Sequence, residues 1–337
     1  MSNPNQLHLI ASGGVPVQPG GSPLLHTYRN DQGQWQGFLG NVNQQCGNSQ
    51  QYFPVMACTG VGASLHVCGV DRQNNNIYHT IRYPGGGWQG VYGDVNGQNS
   101  GAPTSGFGGI GCAGVESSGL LHLCAVPFNT DGSGNLLGGN IYHTLRRSDG
   151  TWQGFYGDVN GQNGGSGTPA FIRVACCTTP DETLHVFGSD STNTIWYTYR
   201  RTDGSWQGSF TNVTSQVSIP INDTPGLACT AIDTTLHLCA ITAGYIYHTS
   251  LPTGGTWQSP PDQPPPPPEG RTAGGWVGCA NVDGTLHVVT LLSTSYDIFH
   301  ITRDASGPWS THYEDVSQAN NFSGPLMAFA IAGVSAS

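Results

Sequence analysis

Histidine carries most of the potential chemistry in this chain, and its positions repeat. Eleven of the 12 histidines lie in two short motifs. The first motif is Leu-His, and its histidines are His8, His66, His122, His185, His237 and His287. The second motif lies one predicted strand later, and its histidines are His26, His79, His143, His248 and His300. The fourth copy of the second motif has Tyr197 in place of histidine. Two imidazoles that face each other could bind a transition metal or could hydrogen-bond to each other.

The metal interpretation is the weaker of the two. Tyr197 hydrogen-bonds well but is a rare zinc ligand, and no carboxylate or other third ligand recurs beside the pair. A hydrogen-bonded pair that fixes the register of two strands needs only the two side chains. We therefore interpret the Leu-His histidines as structural, and we expect neither a metal nor another cofactor.

Arginine and tryptophan follow the second motif at fixed distances. The repeated arginines are Arg29, Arg82, Arg146, Arg200 and Arg303. The fifth repeat has Leu251 at this position. The repeated tryptophans are Trp35, Trp88, Trp152, Trp206, Trp257 and Trp309. Arginine and histidine can hydrogen-bond to sugar hydroxyls while an indole face stacks on sugar C–H groups. The structural alternatives are tryptophans that pack between blades and arginines that pair with the repeated aspartates Asp94, Asp158 and Asp315.

Four repeats keep both the second histidine and the arginine, and we predict carbohydrate-binding sites in these four. The predicted site residues are His26, Arg29, Trp35, His79, Arg82, Trp88, His143, Arg146, Trp152, His300, Arg303 and Trp309. The fourth and fifth repeats, with Tyr197 and Leu251, are expected to bind poorly. Several weak sites on one chain would combine through avidity.

The spacing of the Leu-His motif indicates the elements that hold these residues. Successive copies are 58, 56, 63, 52 and 50 residues apart. Residues 52–98 contain four short segments rich in β-forming residues, separated by turns rich in Gly, Asn and Pro. Four antiparallel strands at this period predict an all-β fold, namely a six-bladed β-propeller with four antiparallel strands per blade.

The two ends of the chain predict how the ring closes. The chain begins at a second strand, residues 7–10, and ends with a lone first strand, residues 326–331. The C-terminal strand should therefore complete the N-terminal blade, which leaves no open edge. Residues 1–337 then form a single domain. Its predicted blades are blade 1 (6–45 plus 323–337), blade 2 (52–98), blade 3 (106–162), blade 4 (169–216), blade 5 (225–262) and blade 6 (272–318). The proline run at 264–268 is expected to remove the outer part of the last strand of blade 5.

The composition of the chain restricts the classes of partner and the cellular location that we expect. The net charge of −10 disfavours nucleic acid and anionic membrane surfaces. No apolar run is long enough to cross a bilayer, so membrane insertion is not expected. Residues 1–6 lack the features of a secretory signal, which predicts a cytoplasmic protein and leaves non-classical release open. The oligomeric state is also left open.

The 10 cysteines raise the question of disulfides. Three pairs flank predicted hairpin turns and could be bridged: Cys58 with Cys68, Cys112 with Cys124, and Cys229 with Cys239. Other repeats have Phe187 or Val289 at the equivalent positions, and a position that accepts Phe or Val is a packing position. We interpret most of the cysteines as small buried apolar residues.

Enzymatic motifs are sparse. The chain has neither a Gly-x-Ser-x-Gly elbow nor a phosphate-binding Gly-rich loop followed by lysine. Its polar residues are repeated symmetrically, whereas an active site breaks symmetry. We therefore predict that the protein is not an enzyme. The alternatives are a propeller that binds another protein through its loops, and a propeller enzyme with one site at the central channel.

The third repeat shows a family resemblance most fully. It reads Tyr142-His143-Thr144-Leu145-Arg146, then Asp149-Gly150-Thr151-Trp152, then Gly157-Asp158-Val159-Asn160-Gly161-Gln162. This pattern resembles the repeat of the PLL-like β-propeller lectins and is similar to that of tectonin-type lectins. The resemblance implies multivalent binding of fucosylated or related glycans, free or on glycoproteins, at sites between or on blades. The tectonin likeness implies a cytoplasmic protein of defence or glycan recognition. The better-known fucose-binding members have seven blades, whereas six repeats are counted here.

Overall fold

The fold is built from small antiparallel sheets that form the blades of a β-propeller. The structure is a computed structural model, and it describes residues 5–13, 22–134, 136–165, 167–268, 271–293 and 295–335. The strands are β1 (Gln6–Gly13), β2 (Leu24–Arg29), β3 (Gly40–Asn41), β4 (Val55–Val61), β5 (Ser64–Val70), β6 (Ile77–Arg82), β7 (Gly93–Asp94), β8 (Phe107–Val115), β9 (Leu120–Pro127), β10 (Tyr142–Arg146), β11 (Gly157–Asp158), β12 (Phe171–Thr178), β13 (Leu184–Asp190), β14 (Ile195–Arg200), β15 (Thr211–Asn212), β16 (Gly226–Ile232), β17 (Thr235–Thr242), β18 (Tyr245–Leu251), β19 (Ala273–Val282), β20 (Thr285–Leu292), β21 (Ile298–Asp304), β22 (Glu314–Asp315) and β23 (Leu326–Val334). The short helices are α1 (Val42–Gln45), α2 (Val159–Gln162), α3 (Thr214–Val217), α4 (Val316–Ala319) and a 3-10 turn (Asn96–Gln98).

Each blade follows the chain in order from the channel outwards. Blades 2, 3, 4 and 6 are the sheets β4–β7, β8–β11, β12–β15 and β19–β22. Blade 5 contains β16–β18, and its fourth strand is reduced to a bridge between His248 and Asp262. The proline run that follows explains this loss, because proline has no N–H to donate to a ladder.

Blade 1 closes the ring. Its strand order is β23-β1-β2-β3, and β23 pairs antiparallel with β1 from Gln6 opposite Val334 to Gly13 opposite Leu326. The predicted fold class is confirmed: an all-β, six-bladed propeller with four-stranded antiparallel blades and a C-terminal strand that completes the N-terminal blade.

The hydrophobic core lies between blades. Side chains alternate between the two faces of a strand, so each blade packs one face on each neighbour. In β1, Leu7 and Leu9 pack in the core shared with blade 6, whereas Ile10 packs in the core shared with blade 2. The same alternation determines which neighbouring blade each polar side chain faces.

The repeated Asp-Val step has a local structural role. Asp158 and Asp315 are the N-caps of α2 and α4, and their side chains accept hydrogen bonds from the N–H of Gly161 and Gln318. Asp94 accepts from the N–H of Gly97 in the same way. Among the described residues no arginine lies within 4.0 Å of these three carboxylates, so the alternative that pairs the repeated arginines with them is wrong.

Some predicted features fall outside the described residues. The predicted blade ranges include residues 14–21, 135, 294, 336 and 337, and the N-terminal segment includes 1–4; all of these lie outside them. Among the residues that are described, no helix is long and apolar enough to cross a membrane.

The cysteines are buried and free, as the packing interpretation predicted. In β4 and β5, Cys58 pairs with Val67 and Ala57 pairs with Cys68. Cys58 and Cys68 therefore point to opposite faces of the sheet, which excludes the bridge considered from sequence. The register of Cys112 with Leu123 separates the second pair in the same way.

Thiol reactivity provides a test of this packing. Burial raises the pKa of the Cys58 and Cys229 thiols, so little thiolate is present at neutral pH. We expect an aromatic disulfide reagent at pH 8 to leave the native protein almost unlabelled and to label all 10 cysteines in guanidinium chloride. Fewer than 10 thiols in the denatured protein would reveal a disulfide and contradict the assignment.

Candidate functional site

Strand alternation divides each predicted His-Arg-Trp set between two blade interfaces. His26 and Arg29 lie three residues apart on β2 and therefore point to opposite faces of blade 1. His26 faces blade 2, where it contacts Trp88. Arg29 faces blade 6, where its Nε lies 3.3 Å from a carboxylate oxygen of Glu314. The residues that meet in space thus come from consecutive blades.

Each interface combines two histidines of one blade with arginine and tryptophan of the next. The sets are His8, His26, Arg82 and Trp88 between blades 1 and 2; His66, His79, Arg146 and Trp152 between blades 2 and 3; His122, His143, Arg200 and Trp206 between blades 3 and 4; His237, His248, Arg303 and Trp309 between blades 5 and 6; and His287, His300, Arg29 and Trp35 between blades 6 and 1.

The interface between blades 4 and 5 is the one that departs from this pattern. Tyr197 of blade 4 replaces the second histidine, and its hydroxyl lies 2.8 Å from Nδ1 of His185. Blade 5 presents Leu251 where the other blades present arginine. Trp257 still packs edge-on against Tyr197. Two replacements that lie in different repeats of the sequence therefore alter a single interface, and five interfaces keep the full set.

The paired histidines are hydrogen-bonded to each other. Nδ1 of the Leu-His histidine lies 2.9 Å from Nε2 of its partner in the pairs His8–His26 and His122–His143, and 3.1 Å in the pair His66–His79. One ring must donate and the other accept, so at least the accepting imidazole of each pair is neutral. No group of three or more potential metal ligands occurs among the described residues.

Burial keeps these histidines uncharged. It lowers the pKa of His8 to about 3 and of His66 and His122 to about 4, with a further contribution in each case from the arginine of the next blade. The pKa values of His79 and His143 are also held well below the usual value, first by burial. The pairs His8–His26, His66–His79 and His122–His143 are therefore neutral polar elements within the blade interfaces.

The tryptophans are wedges between blades. The ring of Trp152 is 5.7 Å from that of His79 in an edge-to-face arrangement, and the residue is only 7% exposed. Trp88 and Trp206 contact His26 and His143 with the same geometry. The structure thus gives Trp152 a packing role, and its role in sugar stacking stays a prediction.

The arginines reach the outer part of each interface and are positioned by turn glycines. A Cβ on Gly150 would lie 3.1 Å from Nη2 of Arg146, and Gly150 has φ +91°. The glycine of the Asp-Gly-x-Trp turn therefore lets the guanidinium lie against the turn. In blade 5, where Leu251 replaces arginine, a Cβ on Gly254 would meet nothing within 4 Å.

Two of the five interfaces also contain a carboxylate. Glu314 pairs with His300 in the sheet, accepts from His300 Nδ1 at 3.1 Å, and binds Arg29. Asp262 accepts from His248 Nδ1 at 2.8 Å and lies 3.0 Å from Nη2 of Arg303. Arg29 and Arg303 therefore do form ion pairs between blades, as the structural alternative expected. Their partners are Glu314 and Asp262 instead of the repeated aspartates.

A cavity of about 270 Å³ opens beside the set between blades 1 and 2. It is lined by Arg82 together with Gln6, His8 and Tyr28. The guanidinium carbon of Arg82 lies 5.5 Å from the centre of the Tyr28 ring. The cavity therefore offers a cation, an aromatic ring and an amide, which are groups that bind sugars. A larger cavity, of about 620 Å³, fills the central channel between the inner strands.

Sequence reasoning found most of these residues but grouped them by repeat. It omitted Arg200, Trp206 and His248, because it assigned them to the degenerate repeats 4 and 5. The period-two alternation of the third strands would have found them, since it shows that His143 meets blade 4 and His248 meets blade 6. The predicted site residues of repeats 1, 2, 3 and 6 all lie at blade interfaces, and their role in binding stays a prediction.

Comparison with known proteins supports the architecture. No protein-family model and no curated protein matches the chain. Among solved structures, a triple arginine-to-alanine mutant of AofleA from Arthrobotrys oligospora aligns with a TM-score of 0.58 and 11% identity, over 99% of this chain and 91% of that one. The fucose-specific lectin from Aleuria aurantia aligns with a TM-score of 0.57 and 11% identity, over 93% of this chain and 97% of that one. A second structure of the Aleuria lectin, described as a six-bladed β-propeller, aligns with a TM-score of 0.51 and 13% identity, over 87% and 91%. The chain therefore has the six-bladed β-propeller fold that is seen in the Aleuria lectin.

Proposed function

We propose that this protein is a multivalent, non-enzymatic lectin that binds fucosylated or related glycans in the clefts between blades. The observation that carries the proposal is the recurrence of one polar and aromatic set at five of the six interfaces. Packing between blades requires a large side chain such as tryptophan, but it does not require a partly exposed arginine beside that tryptophan. The similarity to the fold of a fucose-specific lectin supports the same conclusion.

In each proposed site the arginine supplies hydrogen-bond donors to sugar hydroxyls. The buried histidine pair and the tryptophan form the rigid wall behind it, which keeps the guanidinium of Arg82, for example, beside the open cavity. The ring of Tyr28 provides an apolar face at this site. Single sites of this size should bind weakly, and five of them on one ring should give strong binding to a surface.

Direct titration tests the proposal. We expect methyl α-L-fucoside to bind the intact protein by isothermal titration calorimetry with a millimolar to micromolar Kd, and a fucosylated glycan surface to bind it roughly 100-fold more tightly. EDTA should leave both unchanged. A glycan array that shows no binding to any sugar would rule the lectin function out and favour a protein-binding propeller.

A further inference from the structure

The five intact interfaces fall into two electrostatic classes. At the position opposite the second histidine in the sheet, blade 6 has Glu314 and blade 5 has Asp262. Blades 1, 2 and 3 have glycine at this position: Gly40 opposite His26, Gly93 opposite His79, and Gly157 opposite His143. The arginine that enters from the next blade therefore contacts a carboxylate at two interfaces, whereas the equivalent position is glycine at the other three.

The arginines at the three interfaces with glycine form no ion pair within the described part of the chain. Arg29 and Arg303 form ion pairs with Glu314 and Asp262, whereas no carboxylate of the described residues lies within 4.0 Å of the guanidinium of Arg82, Arg146 or Arg200. Burial lowers the pKa of each of these three arginines, as expected for a guanidinium that is partly removed from water.

None of the described groups beside these three guanidiniums forms a close ion pair with them. At Arg82 the adjoining turn is Pro84-Gly85-Gly86-Gly87 and contains no acid. His8 beside it is neutral, since burial lowers its pKa to about 3. At Arg146 the turn contains Asp149, but this exposed carboxylate accepts hydrogen bonds from the N–H and hydroxyl of Thr151 at 2.8 and 2.7 Å. Asp203, beside Arg200, is bound by Ser205 in the same way.

The glycines are not required by the backbone. Gly40 does not have a positive φ, and a Cβ there would meet only ordinary contacts, 3.7 Å from the carbonyl oxygen of His26 and 3.7 Å from the ring of Phe38. The same holds at Gly93, where the nearest atom would be 3.7 Å away. A side chain could therefore be present at these positions, as it is at Glu314, and its absence leaves the arginine available to a ligand.

We propose that the three interfaces formed by blades 1 to 4 bind sugars that carry a carboxylate, such as uronic acids, whereas the two interfaces that flank blade 6 bind neutral sugars. The ligand carboxylate takes the place that Glu314 and Asp262 occupy in the other class and pairs with the guanidinium, in bidentate geometry where the cleft allows it. The inference rests on the proposed function, and it divides that function between two kinds of ligand on one ring.

A pair of ligands that differ only in charge tests the proposal on the full chain. We expect methyl α-D-galacturonide to bind at least roughly tenfold more tightly than the matching galacturonamide in low salt, at three sites per chain, and we expect 0.5 M NaCl to reduce this advantage. Equal affinities, in a protein that binds methyl α-L-fucoside, would overturn the inference and leave the lectin function standing. If neither the fucoside nor the galacturonide binds, both proposals fail.

Two variants test the role of the carboxylate, one by adding it at the three glycine positions and one by removing it at position 314. Gly40→Glu, combined with Gly93→Glu and Gly157→Glu, should abolish the preference for the galacturonide and retain fucoside binding. Glu314→Gln should add a fourth galacturonide site, because it frees Arg29 while keeping the size of the side chain. Circular dichroism and thermal melting report whether each variant is folded. If the triple variant does not fold, Glu314→Gln decides: an unchanged number of galacturonide sites would contradict the proposal.

Discussion

Acidification from pH 7 to pH 4 is expected to unfold this protein cooperatively. Burial lowers the pKa of six histidines to values far below the 6.5 of an exposed imidazole. These are His8 and His237, at about 3; His66, His122 and His185, at about 4; and His287, at about 2. Each one contributes stability above pH 6.5, where both the folded and the unfolded chain hold it neutral. As the pH falls below 6.5 the unfolded chain takes up protons that the folded chain cannot, so stability is lost until the folded pKa is reached.

The size of this effect follows from the number of histidines. Each depressed histidine costs about 1.4 kcal/mol per pH unit between 6.5 and its folded pKa. Six of them together cost roughly 8 kcal/mol per pH unit, against a stability of about 5–15 kcal/mol for an ordinary domain. The midpoint should therefore lie near pH 5, measured by tryptophan fluorescence and circular dichroism at 25 °C.

The fourth blade provides a matched control for this prediction. Tyr197 shows that a phenol can accept or donate the hydrogen bond of the pair, and it does not titrate in acid. His143→Tyr should copy this arrangement in blade 3 and shift the midpoint to lower pH, because one buried imidazole is removed. A free energy of unfolding that is constant between pH 7 and pH 4 would contradict a neutral histidine ladder.

Replacement of Arg82, Arg146 and Arg200 by alanine is expected to abolish most binding to a glycan surface without unfolding the protein. Each substitution removes the donor group of one proposed site and also removes a partly buried charge that has no ion-pair partner. The titre on a surface that carries galacturonides should fall at least roughly 100-fold, since the variant loses all three sites proposed for charged sugars and with them the avidity. The free energy of unfolding should change by less than about 1 kcal/mol.

Two controls separate binding from folding. Arg72→Ala removes an exposed arginine outside every interface and should alter neither property. Arg29→Ala and Arg303→Ala should each lower stability as well as binding, because they leave Glu314 or Asp262 without its cation. An unchanged titre in the triple variant would show that these arginines do not contact glycans.

The fold could be predicted from the repeat, because the strand and turn signals within each repeat agree with the 50- to 63-residue spacing between repeats. The Leu-His strand, the strand of the second motif, the Gly-rich turns and the tryptophan occur in the same order six times, and the mismatched ends at 7–10 and 326–331 predict the closure that β23 provides. The one strand that fails to form, in blade 5, fails where a proline run replaces the chain that would pair.

The site was only partly predictable, because a repeat in sequence is not a unit in space. His26 and Arg29 belong to one motif but to two interfaces, so grouping residues by repeat gives four sites and grouping them by face gives five. Glu314 and Asp262 carried no recurring signal, since the equivalent positions are glycine in three blades and Thr211 in blade 4. Their importance becomes visible only when the arginine of the neighbouring blade is placed opposite them.

The pairing of β23 with β1 also sets an order on folding. Gly13 and Leu326, which pair in blade 1, are 313 positions apart, from 13 to 326. Blades 2, 3, 4 and 6 are each made from one continuous stretch of chain, so each can nucleate locally with a small loss of loop entropy. Blade 1 cannot be completed until β23 is made, and during synthesis the inner edge of β1 stays unpaired until residues 326–334 have emerged. Among the described strands β1 thus waits longest for one of its partners, and its unpaired edge is the part of the nascent chain with most need of protection against aggregation.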